Sequence, residues 1–134
     1  LALPMTQAQD TTLVVLASLP VDVRVASALQ SAARALGYAD GCAIVQLTDV
    51  GEPRRFVFET DPWAVIAIDD ASIDALRTAF ELDAQAFSPD VPARVTGYAL
   101  VAVPGFATCL DDPEAKRVAW GRMQAAAHPG NPLD

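Results

Sequence analysis

Four short runs of almost uninterrupted apolar residues punctuate the chain: Thr12 to Ala17 (TLVVLA), Cys42 to Leu47 (CAIVQL), Trp63 to Ile68 (WAVIAI) and Tyr98 to Val103 (YALVAV). Runs of this length, rich in valine and isoleucine, suit strands covered on both faces. Between them the period changes. Val25, Leu29, Ala32 and Leu36 recur at helical spacing, Asp22 stands where an N-cap belongs, and Gly37 supplies a left-handed stop. Ile73, Leu76 and Phe80 mark a second helix face behind Asp69-Asp70, with Asp70 as its cap and Asp69 in solvent. Asp112-Pro113-Glu114 is a helix start in the expected order of cap, proline and acid. That helix is predicted to run to about Ala127 and to bury some of Val118, Ala119, Met123 and Ala126. Arg55 to Glu59 (RFVFE) alternates polar and apolar residues, which predicts a short half-exposed strand or edge hairpin entered by Gly51 and Pro53. Residues 81–97, with Pro89, Pro92 and Gly97, read as a long connection.

Strand, helix, strand, strand, helix, strand, helix predicts a three-layer, doubly wound, mostly parallel four-stranded α/β sheet with helices on both faces. The expected organisation is one domain over residues 11–127, between flexible segments at 1–10 and 128–134. Binding sites in such sheets lie at the carboxyl ends of the strands. Those ends are Ser18-Leu19-Pro20, Thr48-Asp49, Asp69-Asp70 and Pro104-Gly105-Phe106.

Composition narrows the partners. The hydrophobic fraction is 52% and the mean hydropathy +0.27, so a packed core is expected rather than disorder. No apolar run approaches the length of a bilayer span, and no membrane partner is expected. Net charge is -8, and the only compact basic features are Arg54-Arg55 and Lys116-Arg117. Phosphate-backbone binding draws on clustered cations, so this balance disfavours nucleic acid and suits a basic protein partner. Two cysteines without C-x-x-C spacing and a single histidine make no zinc site. The reading is two small buried hydrophobes in a reducing, cytoplasmic compartment.

Candidate chemistry is sparse. Asp69 and Asp70 could serve as acid and base or hold a metal, but no histidine or third acid stands near them in sequence. His128 lies beside Pro129, which assigns it to the tail. Ala17-Ser18-Leu19-Pro20-Val21-Asp22 contains no glycine, which speaks against a phosphate loop or dinucleotide fingerprint, and no cofactor is expected. Trp63 and Trp120 fall in periodic apolar segments and read as packing residues. Phe106 follows Pro104-Gly105 in a loop, where it either stacks on a ligand or plugs the core.

Tyr98 to Ala127, YALVAVPGFATCLDDPEAKRVAWGRMQAA, resembles the closing motif of the uracil-DNA glycosylase superfamily. In that family a buried strand ends in His-Pro and a small residue plus an aromatic, then a short loop, an acidic-Pro start and a helix with Lys-Arg and Trp. Pro104, Gly105, Phe106, Asp112, Pro113, Lys116, Arg117 and Trp120 fall in step, with about two extra residues in the loop. DPWAVIAIDDASIDAL and TTLVVLASLP are similar to the family's preceding strand–helix unit and its first strand. The resemblance implies a uracil-DNA glycosylase-like sheet. It also implies a base-binding histidine at the position of Val103, which can neither donate a hydrogen bond nor stabilise a leaving anion. The water-orienting acid and the base-stacking aromatic have no counterpart in Ser18-Leu19-Pro20-Val21-Asp22, and the sole asparagine is Asn131. Without these the family's base pocket is lost. The domain is therefore similar in kind to the family's non-enzymatic relative, the psi subunit of the bacterial clamp loader.

The expected function is a non-catalytic protein-interaction module, with no catalytic or metal-binding residues, in a replication or repair assembly. The alternative is an enzyme or small-molecule binder whose ligand meets Ser18, Pro20, Asp69, Asp70, Pro104, Gly105 and Phe106.

Overall fold

The computed structural model describes residues 13–128, so Thr11, Thr12, the expected flexible segment at 1–10 and all but the first residue of the one expected at 128–134 lie outside the described residues. In chain order the elements are β1 (Leu13–Ala17), α1 (Val23–Ala35), β2 (Ala43–Gln46), a 3-10 turn (Leu47–Asp49), α2 (Pro53–Thr60), β3 (Ala64–Ala67) and α3 (Asp70–Phe80). There follow β4 (Ala93–Val95), β5 (Tyr98–Ala102), the one-turn α4 (Phe106–Cys109), α5 (Pro113–Met123) and a closing 3-10 turn (Gln124–Ala126). The sheet order is β2-β1-β3-β5-β4. β2, β1, β3 and β5 are mutually parallel, and β4 is antiparallel to β5.

Side chains along each central strand alternate between two cores, as strand geometry requires. Leu13, Val15 and Ala17 of β1, with Ala64 and Ile66 of β3 and Val101 of β5, face a layer made by α1 and α5. Val14, Leu16, Val65, Ala67 and Leu100 face α2 and α3. Because both faces are covered, these strands are apolar at every position, which is why they read as continuous runs.

The α/β class, the helices on both faces and the four parallel strands agree with the sequence, but the sheet has a fifth strand. β4 lies within the expected connection and joins β5 through Thr96 (φ 47) and Gly97 (φ 93). Two positive φ angles in a two-residue loop make the twist that a tight hairpin needs. Arg55–Glu59 is no strand. It belongs to α2, which Pro53 opens and Asp61 (φ 49) closes in the left-handed region. The buried or half-buried positions are Pro53, Phe56, Val57 and Thr60, a helical spacing that local alternation of aromatics disguises. β2 is not covered on both faces: Ala43 is exposed, Ile44 to Gln46 are half-buried, and among the described residues β1 is its one strand neighbour. Val118 points outward at 45% exposure while Ala119, Met123 and Ala126 are buried. His128 is held rather than loose, since its N–H donates to the Leu36 carbonyl at 2.9 Å and its ring meets Tyr38 edge-on at 5.3 Å. The Tyr38 hydroxyl in turn donates to the Ala126 carbonyl at 2.6 Å, fixing the end of the chain's last turn over the end of α1.

Candidate functional site

The strand order reverses between β1 and β3: α1 leaves β1 on one face of the sheet and α3 leaves β3 on the other. This is the position where open α/β sheets form a crevice for ligands. Here the chain bridges it. The Ser18 N–H donates to Asp69 Oδ2 at 2.8 Å, while the Ser72 N–H donates to Asp69 Oδ1 at 3.0 Å. Asp69, not Asp70, is therefore the N-cap of α3, and the same carboxylate ties the β1 loop to β3. Partial burial pushes the Asp69 pKa up, but hydrogen bonding from Ser72 and Ser18 outweighs it and holds the group below the ordinary carboxylate range. A carboxylate held ionised with both oxygens engaged is poorly placed to act as an acid or to take a metal. Asp70, at the first position of α3, is exposed, as is Pro20.

At the end of β5, Val103 is buried, and its N–H donates to the Ala67 carbonyl at 2.8 Å. Pro104 is half-buried, and the exposed Gly105 takes φ 72, a left-handed turn into α4 that a Cβ would strain. Phe106 is turned inward, 5% exposed, into the core between the sheet, α1 and α5. Of the residues expected at the site, the structure joins Ser18 to Asp69. No hydrogen bond among the described residues links Pro104, Gly105 or Phe106 to that pair. No group of three or more His, Cys, Asp or Glu able to hold a metal occurs among the described residues.

The thiols are chemically quiet. Burial pushes Cys42 up to about 11, although Arg34 opposes it, and Cys109 is likewise raised by burial. Thiolate is the reactive form. From thiolate population alone, Cys42 in the native protein should alkylate roughly 10²-fold more slowly at pH 8 than an ordinary thiol. Iodoacetamide labelling followed by mass spectrometry checks this; labelling at the rate of unfolded protein would show that the site is open.

The basic pairs do not add up to a nucleic-acid surface. Arg54-Arg55 sits on α2 and Lys116-Arg117 on α5, which cover opposite faces of the sheet. Arg55 pairs with Glu59 at 2.9 Å and Arg117 with Glu114 at 2.7 Å, while Arg54 lies over the Phe58 ring.

The open surface is elsewhere. Leu19 and Val23, at 70% and 86% exposure, stand beside the bridged crevice. Among the described residues β2 leaves one edge unpaired, and it carries no charge, proline or bulge to guard it. A groove of about 140 Å³ between α1 and α5 is lined by Phe106, Cys109 and Trp120. A wider one of about 610 Å³ separates α2 from α3. A third, of about 320 Å³, lies between α5 and the chain ahead of β4, with Arg122 in its wall. None of the three is lined by Ser18, Pro20, Asp69, Asp70, Pro104 or Gly105. Sequence reading passes over Arg122 because it is one of several cations along a charged helix and nothing local marks it; Pro89 and Pro92 around Asp90 are the local sign of an irregular wall. In comparisons with known proteins, the chain matches no family model, no curated protein and no solved structure.

Proposed function

We propose that this domain is a non-catalytic protein-interaction module built on a degenerate uracil-DNA glycosylase-like sheet, serving a replication or repair assembly. The observation that carries the reading is the Asp69 bridge: where such a sheet would seat a substrate, the protein's own Ser18 and Ser72 amides consume the carboxylate. The buried Val103 at the position of the base-binding histidine supports the same conclusion, because its side chain offers no donor to stabilise a leaving base. The β2 edge, unpaired among the described residues, supports the interaction half of the proposal, since a row of unpaired backbone groups is a template for a partner strand. The net charge of -8 suits a basic partner.

Purified protein is expected to excise no uracil from single- or double-stranded DNA. In cells, p-benzoylphenylalanine in place of Ala43 on the β2 edge should give one dominant photocrosslinked adduct, absent when the same group replaces the exposed Asp83. Robust excision that falls when Asp69 or Asp70 is changed would overturn the non-catalytic half. Equal crosslinking from both positions would overturn the interaction half at β2.

A further inference from the structure

The pairing of β4 with β5 stops at Ala93 opposite Leu100. β5 continues through Val101 and Ala102 without a strand neighbour on that side among the described residues. Two features turn the chain away. Pro92 lacks the amide that further pairing would use, and Ser88 and Val91 fold back on each other through a pair of 3.0 Å hydrogen bonds. The amides of Ala99 and Val103 donate toward β3, to the carbonyls of Trp63 and Ala67 at 3.2 and 2.8 Å. Strand alternation then directs the amide and carbonyl of Ala102 to the opposite side, and no backbone hydrogen bond outside the β3–β5 ladder engages them among the described residues. Both Val101 and Ala102 border the cavity of about 320 Å³, whose walls include Pro89, Pro92 and Val118. Arg122 reaches it from α5. Its Nη2 meets Asp90 Oδ1 at 3.3 Å on the surface, whereas its Nε is buried with no acceptor among the described residues.

Buried polar groups are ordinarily paired, and each one left unpaired carries a desolvation cost. An amide, a carbonyl and a guanidinium N–H left unused around one apolar-walled cavity form the complement of an extended polypeptide. We propose that an extended segment of a partner protein adds to the β5 edge at this cavity. Its backbone pairs with Ala102, one of its carbonyls accepts from Arg122 Nε, and an apolar side chain lies against Val118, Pro89 and Pro92. Asp90, 85% exposed at the rim, together with the net charge of -8, selects a lysine or arginine beside that apolar residue. The inference rests on the interaction reading but uses the opposite end of the sheet from β2, so the two surfaces fail or stand separately.

The test is selection of a random heptapeptide display library on the full chain, followed by NMR titration with the enriched peptides, both ends blocked. The selected sequences should share an apolar residue next to Lys or Arg, with the largest shifts at the Ala102 amide and the Arg122 Nε–H. Gly121→Leu should weaken binding tenfold or more: a side chain there starts in open space beside the cavity, and leucine favours the helix. Arg122→Lys, which keeps the charge but removes the Nε donor, should cost about tenfold. Asp90→Lys should move the preference to acidic peptides. Enriched peptides that bind Gly121→Leu as well as they bind the unmodified chain, or that shift residues 43–46 instead of Ala102, would overturn the β5 assignment while leaving the interaction reading in place. Failure to enrich any sequence would also overturn it.

Discussion

Phe87→Ala is expected to destabilise the domain by about 3–5 kcal/mol, the range for deleting a fully buried aromatic side chain. Phe87 is 0% exposed and packs with Val65, Leu76 and Leu100 in the core beneath α3. Its position explains why so large an effect should come from a residue in a connection. Between α3 and β4 the backbone turns at Asp83, whose side chain accepts from the Gln85 and Ala86 amides at 3.0 and 2.9 Å, and Phe87 then drops into the core. Arg77 Nε donates to the Phe87 carbonyl at 2.8 Å and locks the same turn to α3. The segment thus follows the sheet because one aromatic anchors it. Since small domains are stable by only about 5–15 kcal/mol, the variant should lose a large part of the total, measured as a lower urea midpoint with an unchanged slope. A loss under 1 kcal/mol would show that the connection is held by something other than this side chain.

Asp69→Ala is expected to cost about 2–3 kcal/mol at neutral pH. Loss of the α3 cap contributes about 1 kcal/mol, and the Ser18 amide left without its acceptor contributes the remainder. Asp69→Asn, which retains one acceptor and is itself a good cap, should lose about half as much. The pH dependence has a definite sign. The folded-state pKa of Asp69 lies below its unfolded value, so its stabilisation is complete above the ordinary carboxylate range and is lost as pH falls through the folded pKa. Urea titrations of the unmodified chain and the alanine variant should therefore converge in acid. A constant gap across that range would mean that the bridge does not depend on ionisation.

The contrast between Asp69 and Asp70 shows where sequence reading reached its limit. Adjacent aspartates at a strand end announce a helix start, and either can cap it; which one does depends on where β3 ends relative to α3, a matter of one residue. The additional partner, Ser18, stands 51 positions away, and nothing local to either residue announces the bond. The central strands were legible because burial on both faces leaves no polar position to break the run. β4 was not: it has three residues, follows a proline, and enters its hairpin through Thr96 where Asn or Asp would have signalled the turn. In α2 the aromatics alternate over five residues, a length at which strand and helix periods are hard to separate. Pro53 after Glu52 and the Arg55–Glu59 spacing were the helix signals present. The β5 cavity depends on where a neighbouring strand stops, and that is settled only in three dimensions.

The place of β1 in the sheet has a consequence for how the chain leaves the ribosome. β1 is flanked by β2 and β3, and both are encoded after it. LVVLA carries no charge, proline or glycine and is covered on both faces in the finished protein. At synthesis rates of about 5–20 residues per second, this segment waits several seconds before β3 emerges to pair with it. Both edges of this five-residue β-prone tract stay open until β2 emerges, and the edge that meets β3 stays open throughout, the kind of segment that chaperones shield and that seeds aggregates. Slower elongation at a given temperature prolongs that exposure, so the demand on chaperone capacity rises as translation slows.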